Sequence, residues 1–293
     1  MRRSVLIYNP AAGHQRQRRL LAALLPELAR GGFDATPVPT GAPGDATRLA
    51  AEAVADGTET IFVLGGDGTV REAATALVGG TVPLAILPAG TANVLAHALG
   101  LPPDPRAAAR IHAGSRVRQL DVGLCGDKPF LMMASGGFDA FVLDNLDLGL
   151  KARLGKAGIV VQALMELRRY RYPALELEVD GEVIEASLFV VCNIPFYGGT
   201  FRLFPEARFD DRRLDLVTFR GSGWSQTLSF GLDLVRGTHL AREDVETRPV
   251  ERLVVRAPES ASVQIDGDPS GLGLPVEIRL AERTIPVLAP VGG

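Results

Sequence analysis

Through the first 120 residues, short apolar runs alternate with stripes of apolar residues at helical spacing. Residues 4–8 form an apolar run ending at Asn9-Pro10, which predicts a buried strand feeding a turn. Leu21, Leu24, Leu25 and Leu28 then share one helical face, with Arg16, Arg18 and Arg19 off it, until Gly31-Gly32 ends the helix. The same reading predicts strands at 33–39, 60–64 and 82–87. It predicts helices at 45–54 (N-capped by Asp45), 70–78 and 92–99. This βαβα rhythm predicts a mostly parallel sheet covered on both faces.

After about Asp121 the rhythm changes. Segments 175–179, 185–192, 214–219, 253–256, 263–265 and 276–280 are short, and several alternate apolar with polar residues. That is the pattern of antiparallel strands with one wet face. Helical stretches interrupt them at about 153–169 and 225–235. The boundary therefore falls near residue 120, between an α/β first domain and a mainly β second domain.

At 293 residues the chain is long enough for two ordinary domains. A net charge of −3 makes the chain as a whole no nucleic-acid binder. Cys125 and Cys192 form no CxxC pair, which fits core thiols in a reducing compartment. His14, His97, His112 and His239 are scattered, which argues against a histidine-based metal site. The N-terminal apolar stretch is too short for a signal peptide. The most apolar window, 158–167, carries Gln162 and Glu166, so no membrane span is expected.

The chemistry lies in the strand-end loops. In Gly65-Gly66-Asp67-Gly68-Thr69, bare backbone N–H groups can approach phosphate oxygens, and the following helix adds the positive end of its dipole. Asp67 makes sense beside a polyanion if a divalent cation lies between them. Asn9-Pro10-Ala11-Ala12-Gly13 and Pro88-Ala89-Gly90-Thr91-Ala92-Asn93 follow other strands on the same edge, and Thr40-Gly41 offers a fourth loop. One such loop could be an ordinary tight turn; several converging on one edge read as a nucleotide site.

Together these loops resemble the diacylglycerol kinase catalytic-domain family, which includes bacterial soluble diacylglycerol kinases and is related to sphingosine and ceramide kinases. The resemblance continues through Asp121-Val122-Gly123, Ala134-Ser135-Gly136-Gly137-Phe138-Asp139-Ala140 and Tyr197-Gly198-Gly199, then Pro205-Glu206-Ala207-Arg208-Phe209-Asp210-Asp211 and Asp266-Gly267-Asp268. It implies a first domain like that of NAD kinase and phosphofructokinase, over residues 1–120 with a returning strand at 285–293. Residues 121–284 would form a β-sandwich lipid-kinase domain. It further implies ATP and Mg²⁺ as cofactors. ATP would touch Asn9 to Gly13, Thr40, Gly65, Gly66, Asp67, Gly68, Thr69, Val70, Arg71, Gly90, Thr91 and Asn93. Asp67 and Asp121 would hold catalytic Mg²⁺, directly or through water. Asp211 would hold a structural Mg²⁺ with the carbonyls of Arg208 and Arg213. The base that takes the acceptor's proton would be Asp268, with Asp266 as the alternative.

Four positions depart from the family pattern: Arg71 for Asn, Val94 for Asp, Arg212 for Gly, and Asp268 for Glu. The acceptor stays open between diacylglycerol and a sphingoid-type lipid. A soluble acceptor such as NAD, or a non-catalytic lipid- or nucleotide-binding role, is the rival reading. The enzyme is expected in the cytoplasm, in phospholipid biosynthesis, peripheral at the inner membrane face, without nucleic acid and with a homodimer allowed. Lys151, Arg153, Lys156, Arg168, Arg169 and Arg171 around an apolar run suit a helix lying on an anionic bilayer, or else a packed helix with a solvated rim.

Overall fold

The computed structural model describes residues 1–10, 14–147, 149, 155–256 and 261–291. The chain forms two compact units, Met1–Leu120 with Glu282–Gly293, and Asp121–Ala281. The first holds a six-stranded sheet of β1 (Arg2–Tyr8), β2 (Phe33–Pro39), β3 (Thr60–Gly65), β4 (Leu84–Pro88), β5 (Arg116–Leu120) and β20 (Ile285–Ala289), ordered β2-β1-β3-β4-β20-β5. All neighbours pair parallel except β20 and β5. Every residue of β3 and β4 is buried, as central parallel strands require. β2 carries Pro37 and Pro39 at the sheet edge, where a missing ladder donor costs least.

Helices α1 (His14–Arg30), α2 (Asp45–Ala55), α3 (Asp67–Thr75), α4 (Val94–Ala98) and α5 (Pro105–His112) complete this unit. α3 begins three residues earlier than its apolar stripe indicates, because Gly66 is already its N-cap. Asp45 is not the N-cap of α2; its carboxylate reaches back to the amides of Gly41 (2.7 Å) and Ala42 (3.0 Å). His112 is fully buried at the end of α5, with Nε2 2.9 Å from the Ile86 carbonyl oxygen, so that nitrogen carries the proton. Burial lowers its pKa below 6.5, against the pull of the Ile86 carbonyl. The unfolded chain then binds the extra proton first, so stability falls as pH drops below about 6.5. Replacement by Phe is expected to flatten this acid limb, measured as the change in melting temperature between pH 7.5 and 5.5.

The second unit is a sandwich of two antiparallel sheets. One is ordered β10-β9-β16-β19-β6-β7, from β6 (Gly123–Cys125), β7 (Lys128–Phe130), β9 (Leu175–Val179), β10 (Glu182–Ala186), β16 (Arg252–Arg256) and β19 (Val276–Leu280). The other is ordered β15-β14-β11-β8-β17-β18, from β8 (Met133–Gly137), β11 (Leu188–Cys192), β14 (Leu214–Phe219), β15 (Val245–Val250), β17 (Val263–Ile265) and β18 (Asp268–Pro269). A small hairpin of β12 (Phe196–Tyr197) and β13 (Phe201–Arg202) stands apart. Phe130, Phe189, Leu216, Leu253 and Ile278 are among the residues filling the core. The apolar run 185–192 is two strands in two sheets. Its corner is Ser187, whose amide and hydroxyl both donate to the Phe219 carbonyl, at 2.9 and 3.0 Å. β8 is glycine-rich because the Phe189 ring packs where a Cβ on Gly136 would stand. Both cysteines are free and buried.

Helices α6 (Phe138–Asp144), α7 (Lys156–Glu166) and α8 (Trp224–Arg236) decorate the sandwich. In α7 the usual sidedness is reversed. Gln162 and Glu166 are buried and share a hydrogen bond of 2.9 Å, while Val160, Val161, Leu164 (54%) and Met165 (59%) are exposed. Lys151 and Arg153 lie outside the described residues.

Candidate active site

Parallel strands put their carboxyl ends on one edge, so the loops after β1, β2, β3 and β4 collect there. Asn9 and Pro10 end the first described loop segment; Ala11, Ala12 and Gly13 lie outside the described residues. Thr40 is tied to this loop, its amide donating to the Tyr8 carbonyl at 2.9 Å. The β3 and β4 loops lock onto each other. The Ala89 amide donates to the Gly65 carbonyl at 2.9 Å. Asn93, at φ 50°, closes its own loop by accepting from the Gly90 amide at 2.8 Å and donating to the Gly90 carbonyl at 2.9 Å.

Asp67 joins the two loops. Its carboxylate accepts from the amides of Val94 (3.1 Å) and Leu95 (3.2 Å), opposite the start of α4. Burial pushes this carboxyl above the usual range, while those amides pull it back. Asp67 is therefore a half-buried bracket between loops, rather than a surface carboxylate that only meets a cation. Gly66 also serves the loop contact: a Cβ there would stand 3.2 Å from the Gly90 Cα. Gly66→Val must part the loops, at a cost of about 1–3 kcal/mol for overpacking. Expressed in ATP binding, that is a loss of about 5- to 150-fold, measurable by titration calorimetry.

In the sandwich, Asp266-Gly267 is the two-residue turn between β17 and β18, with Ile265 paired to Asp268. Both turn residues have positive φ (53° and 85°), the geometry that Asp-Gly favours in a tight hairpin. Asp266 is 8% exposed and accepts from the amides of Leu131 (2.9 Å), Met132 (2.8 Å) and Met133 (3.1 Å). A carboxylate held by three backbone donors anchors the hairpin. Asp268 is half-buried and offers the other carboxylate of the motif.

A polar network under this hairpin was not assigned a role from the sequence. The Gly267 amide donates to Gln264 Oε1 at 2.8 Å, Gln264 Nε2 donates to Ser135 Oγ, and Ser135 Oγ donates to Asp139. The Tyr197 hydroxyl (3.1 Å) and the Ala140 amide (2.8 Å) also donate to Asp139. Burial raises the Asp139 carboxyl above the usual range, against these hydrogen bonds. The residues were present in the sequence as Ser135 in β8, Asp139 in the first turn of α6, and Tyr197.

Asp121 is held from within its own unit. It is completely buried, and both oxygens are taken by Arg212: the Arg212 amide at 2.6 Å and Nη1 at 3.0 Å. Asp211 is exposed and accepts from the Arg213 amide at 3.2 Å. Burial pushes its neighbour Asp215 up to about 6, helped by the charges of Asp211 and Glu206. Among the described residues, no cluster of three or more His, Cys, Asp or Glu side chains has metal-site geometry. Arg71 is half-buried in α3, and Val94 is buried, its amide serving Asp67.

Glycine-lined loops at the carboxyl edge of a parallel sheet, and a carboxylate-bearing hairpin in a β-sandwich, are the parts of a kinase. The chain belongs to the diacylglycerol kinase family: residues 3–125 match the diacylglycerol kinase catalytic domain, and residues 132–289 match the YegS C-terminal NAD kinase beta sandwich-like domain. It is 32% identical to a diacylglycerol kinase of Mycobacterium tuberculosis, covering 97% of this chain and 94% of the relative. It is 29% identical to a diacylglycerol kinase of Bacillus subtilis, covering 99% and 97%. A protein of Pseudomonas aeruginosa named "Probable lipid kinase YegS-like" is 34% identical over 90% and 87%. The crystal structure of a diacylglycerol kinase from Bacillus anthracis superposes with a TM-score of 0.81 at 28% identity, covering 98% of this chain and 96% of that one. The protein is thus an enzyme of the lipid kinase class.

Proposed function

We propose that the enzyme transfers the γ-phosphate of ATP to a lipid hydroxyl, with diacylglycerol the first candidate and a sphingoid-type lipid the second. The anchored Asp266-Gly267-Asp268 hairpin carries this reading. Its buried carboxylate fixes the turn, and the half-buried Asp268 next to that turn would take the acceptor's proton. The acceptor oxygen attacks the γ-phosphorus, its proton passes to Asp268, and the bond to the β-phosphate oxygen breaks to release ADP. Thr40 and the segments around Asn9, Gly65–Arg71 and Gly90–Asn93 supply the nucleotide contacts, with amides and hydroxyls suited to phosphate oxygens. Mg²⁺ neutralises phosphate charge when bound with ATP. A hard cation at Asp211, completed by the carbonyls of Arg208 and Arg213, would also relieve the crowding of Asp211, Asp215 and Glu206. Incubation with ATP and a bacterial lipid extract, read by mass spectrometry, tests the reading. A lipid species gaining one phosphate is expected, and none doing so would sink it.

The reversed helix α7 supports a membrane-bound acceptor. No helix among the described residues is long and apolar enough to cross a membrane. Val160, Val161, Leu164 and Met165 nevertheless face outward, followed by Arg168, whose guanidinium lies over the exposed Trp224 ring at 5.0 Å. Apolar side chains beside arginines suit the interface of an anionic bilayer. Leu164→Glu with Met165→Glu is expected to reduce sedimentation with phosphatidylglycerol vesicles at least tenfold, at about 1.4 kcal/mol per decade. The melting temperature should hold, because both residues are already exposed. Unchanged sedimentation would assign α7 another partner.

A further inference from the structure

We propose that Arg212 is a built-in counter-ion for Asp121, and that Asp121 consequently is not a metal ligand in this chain. The family resemblance gives Asp121 a share of catalytic Mg²⁺, and the geometry here disagrees. Asp121 is completely buried, and a buried carboxylate needs a cation or several donors. Arg212 supplies both. Its amide reaches Oδ2 at 2.6 Å, its Nη1 reaches Oδ1 at 3.0 Å, and its Nη2 donates to the Ala281 carbonyl at 2.7 Å. The turn is shaped for this: Arg212 has φ 62°, and the Asp121 amide donates to the Phe209 carbonyl at 2.7 Å, so the 209–213 segment wraps the carboxylate. One side chain thereby ties the first residue of the unit, the turn, and the last residue of the unit.

Position 212 is one of the places where the sequence departs from the family pattern, which has Gly there. A glycine leaves the carboxylate without a guanidinium and open to an outside cation; an arginine makes the cation part of the chain. The left-handed conformation also favours glycine, so an arginine held there costs backbone strain that its contacts must offset. The second departure fits with this one: Val94 stands where the pattern has Asp, and it is buried, so a further carboxylate is absent from the first unit.

Counting bound Mn²⁺, as a stand-in for Mg²⁺, by electron paramagnetic resonance on the full chain tests the proposal, with and without ADP. Wild type and Asp121→Asn are expected to bind the same number of ions. Arg212→Gly should fold, because glycine suits this φ, and should bind one more ion than wild type. Arg212→Gly combined with Asp121→Asn should return to the wild-type number. Asp121→Asn binding one ion fewer than wild type, or Arg212→Gly gaining none, overturns the proposal. Were Arg212→Gly to fail to fold by near-ultraviolet circular dichroism, the comparison of wild type with Asp121→Asn decides by itself. The ion count does not depend on lipid phosphorylation, so this inference and the proposed function can fail separately.

Discussion

Asp268→Asn is expected to lower lipid-dependent turnover by about 10²–10⁴-fold, the usual contribution of a positioned general base. ATP affinity should stay nearly unchanged, because in the proposed reaction Asp268 serves the acceptor rather than the nucleotide. Asp268→Glu, which brings in the residue more usual in the family, should keep substantial activity. Asp266→Asn provides the contrast. It replaces an acceptor of three amides with a group that must turn one donor-bearing end toward them, so its first effect is on the fold. A loss of buried hydrogen bonds of this kind costs about 1–3 kcal/mol per unsatisfied group. Lower stability with turnover per folded molecule largely preserved is the expected outcome for Asp266→Asn. A stable but inactive Asp266→Asn beside a normal Asp268→Asn would exchange the two roles.

The second large effect is expected at Asp67. Asp67→Ala removes the acceptor of the Val94 and Leu95 amides, and with it the bracket that holds the β3 and β4 loops together. Loss of such a helix-start acceptor costs about 0.5–2 kcal/mol of stability. ATP turnover should fall at least about 100-fold, since a displaced loop misplaces every donor that the transition state needs. Urea unfolding and steady-state ATP turnover measured on the same preparation check both halves. Near-wild-type turnover would remove Asp67 from the site, whatever happened to stability.

The α/β half was legible because buried parallel strands write themselves as unbroken apolar runs, and β3 and β4 are buried at every residue. β5 was not legible: its sequence Arg-Val-Arg-Gln-Leu is mostly polar and exposed, as an outer strand can be. β8 was hidden for the opposite reason. It is buried throughout, but two of its five residues are glycines: Gly136 makes room for the ring of Phe189 on the paired strand β11, and Gly137 lies against the backbone of Ser187 and Leu188. Local propensity cannot see such a contact. The division of 185–192 at Ser187 likewise depends on which sheet each half joins, a tertiary fact.

At the site, the loops were legible as motifs and their internal logic was not. Gly66 and Gly90 read as a phosphate cradle, yet the nearest demand on them is each other. Asp67 read as a metal carboxylate, and its visible partners are backbone amides from a loop 27 and 28 residues away. Arg212 read only as a departure from a glycine, because nothing local shows that its side chain reaches Asp121, 91 residues earlier. Helix α7 hides its sidedness in the sequence: Gln162 and Glu166 satisfy each other inside, and Val160, Val161, Leu164 and Met165 face out.

The most direct test of the account measures transfer of label from γ-³²P-ATP to three acceptors side by side: dispersed diacylglycerol, a dispersed sphingoid base, and NAD in solution. Each is run with wild type and with Asp268→Asn. The account predicts label in the chloroform phase with a lipid acceptor, diacylglycerol first, reduced by about 10²–10⁴-fold in the variant, and no label on NAD. Label on NAD with none in either lipid, or lipid labelling that Asp268→Asn leaves intact, would contradict it.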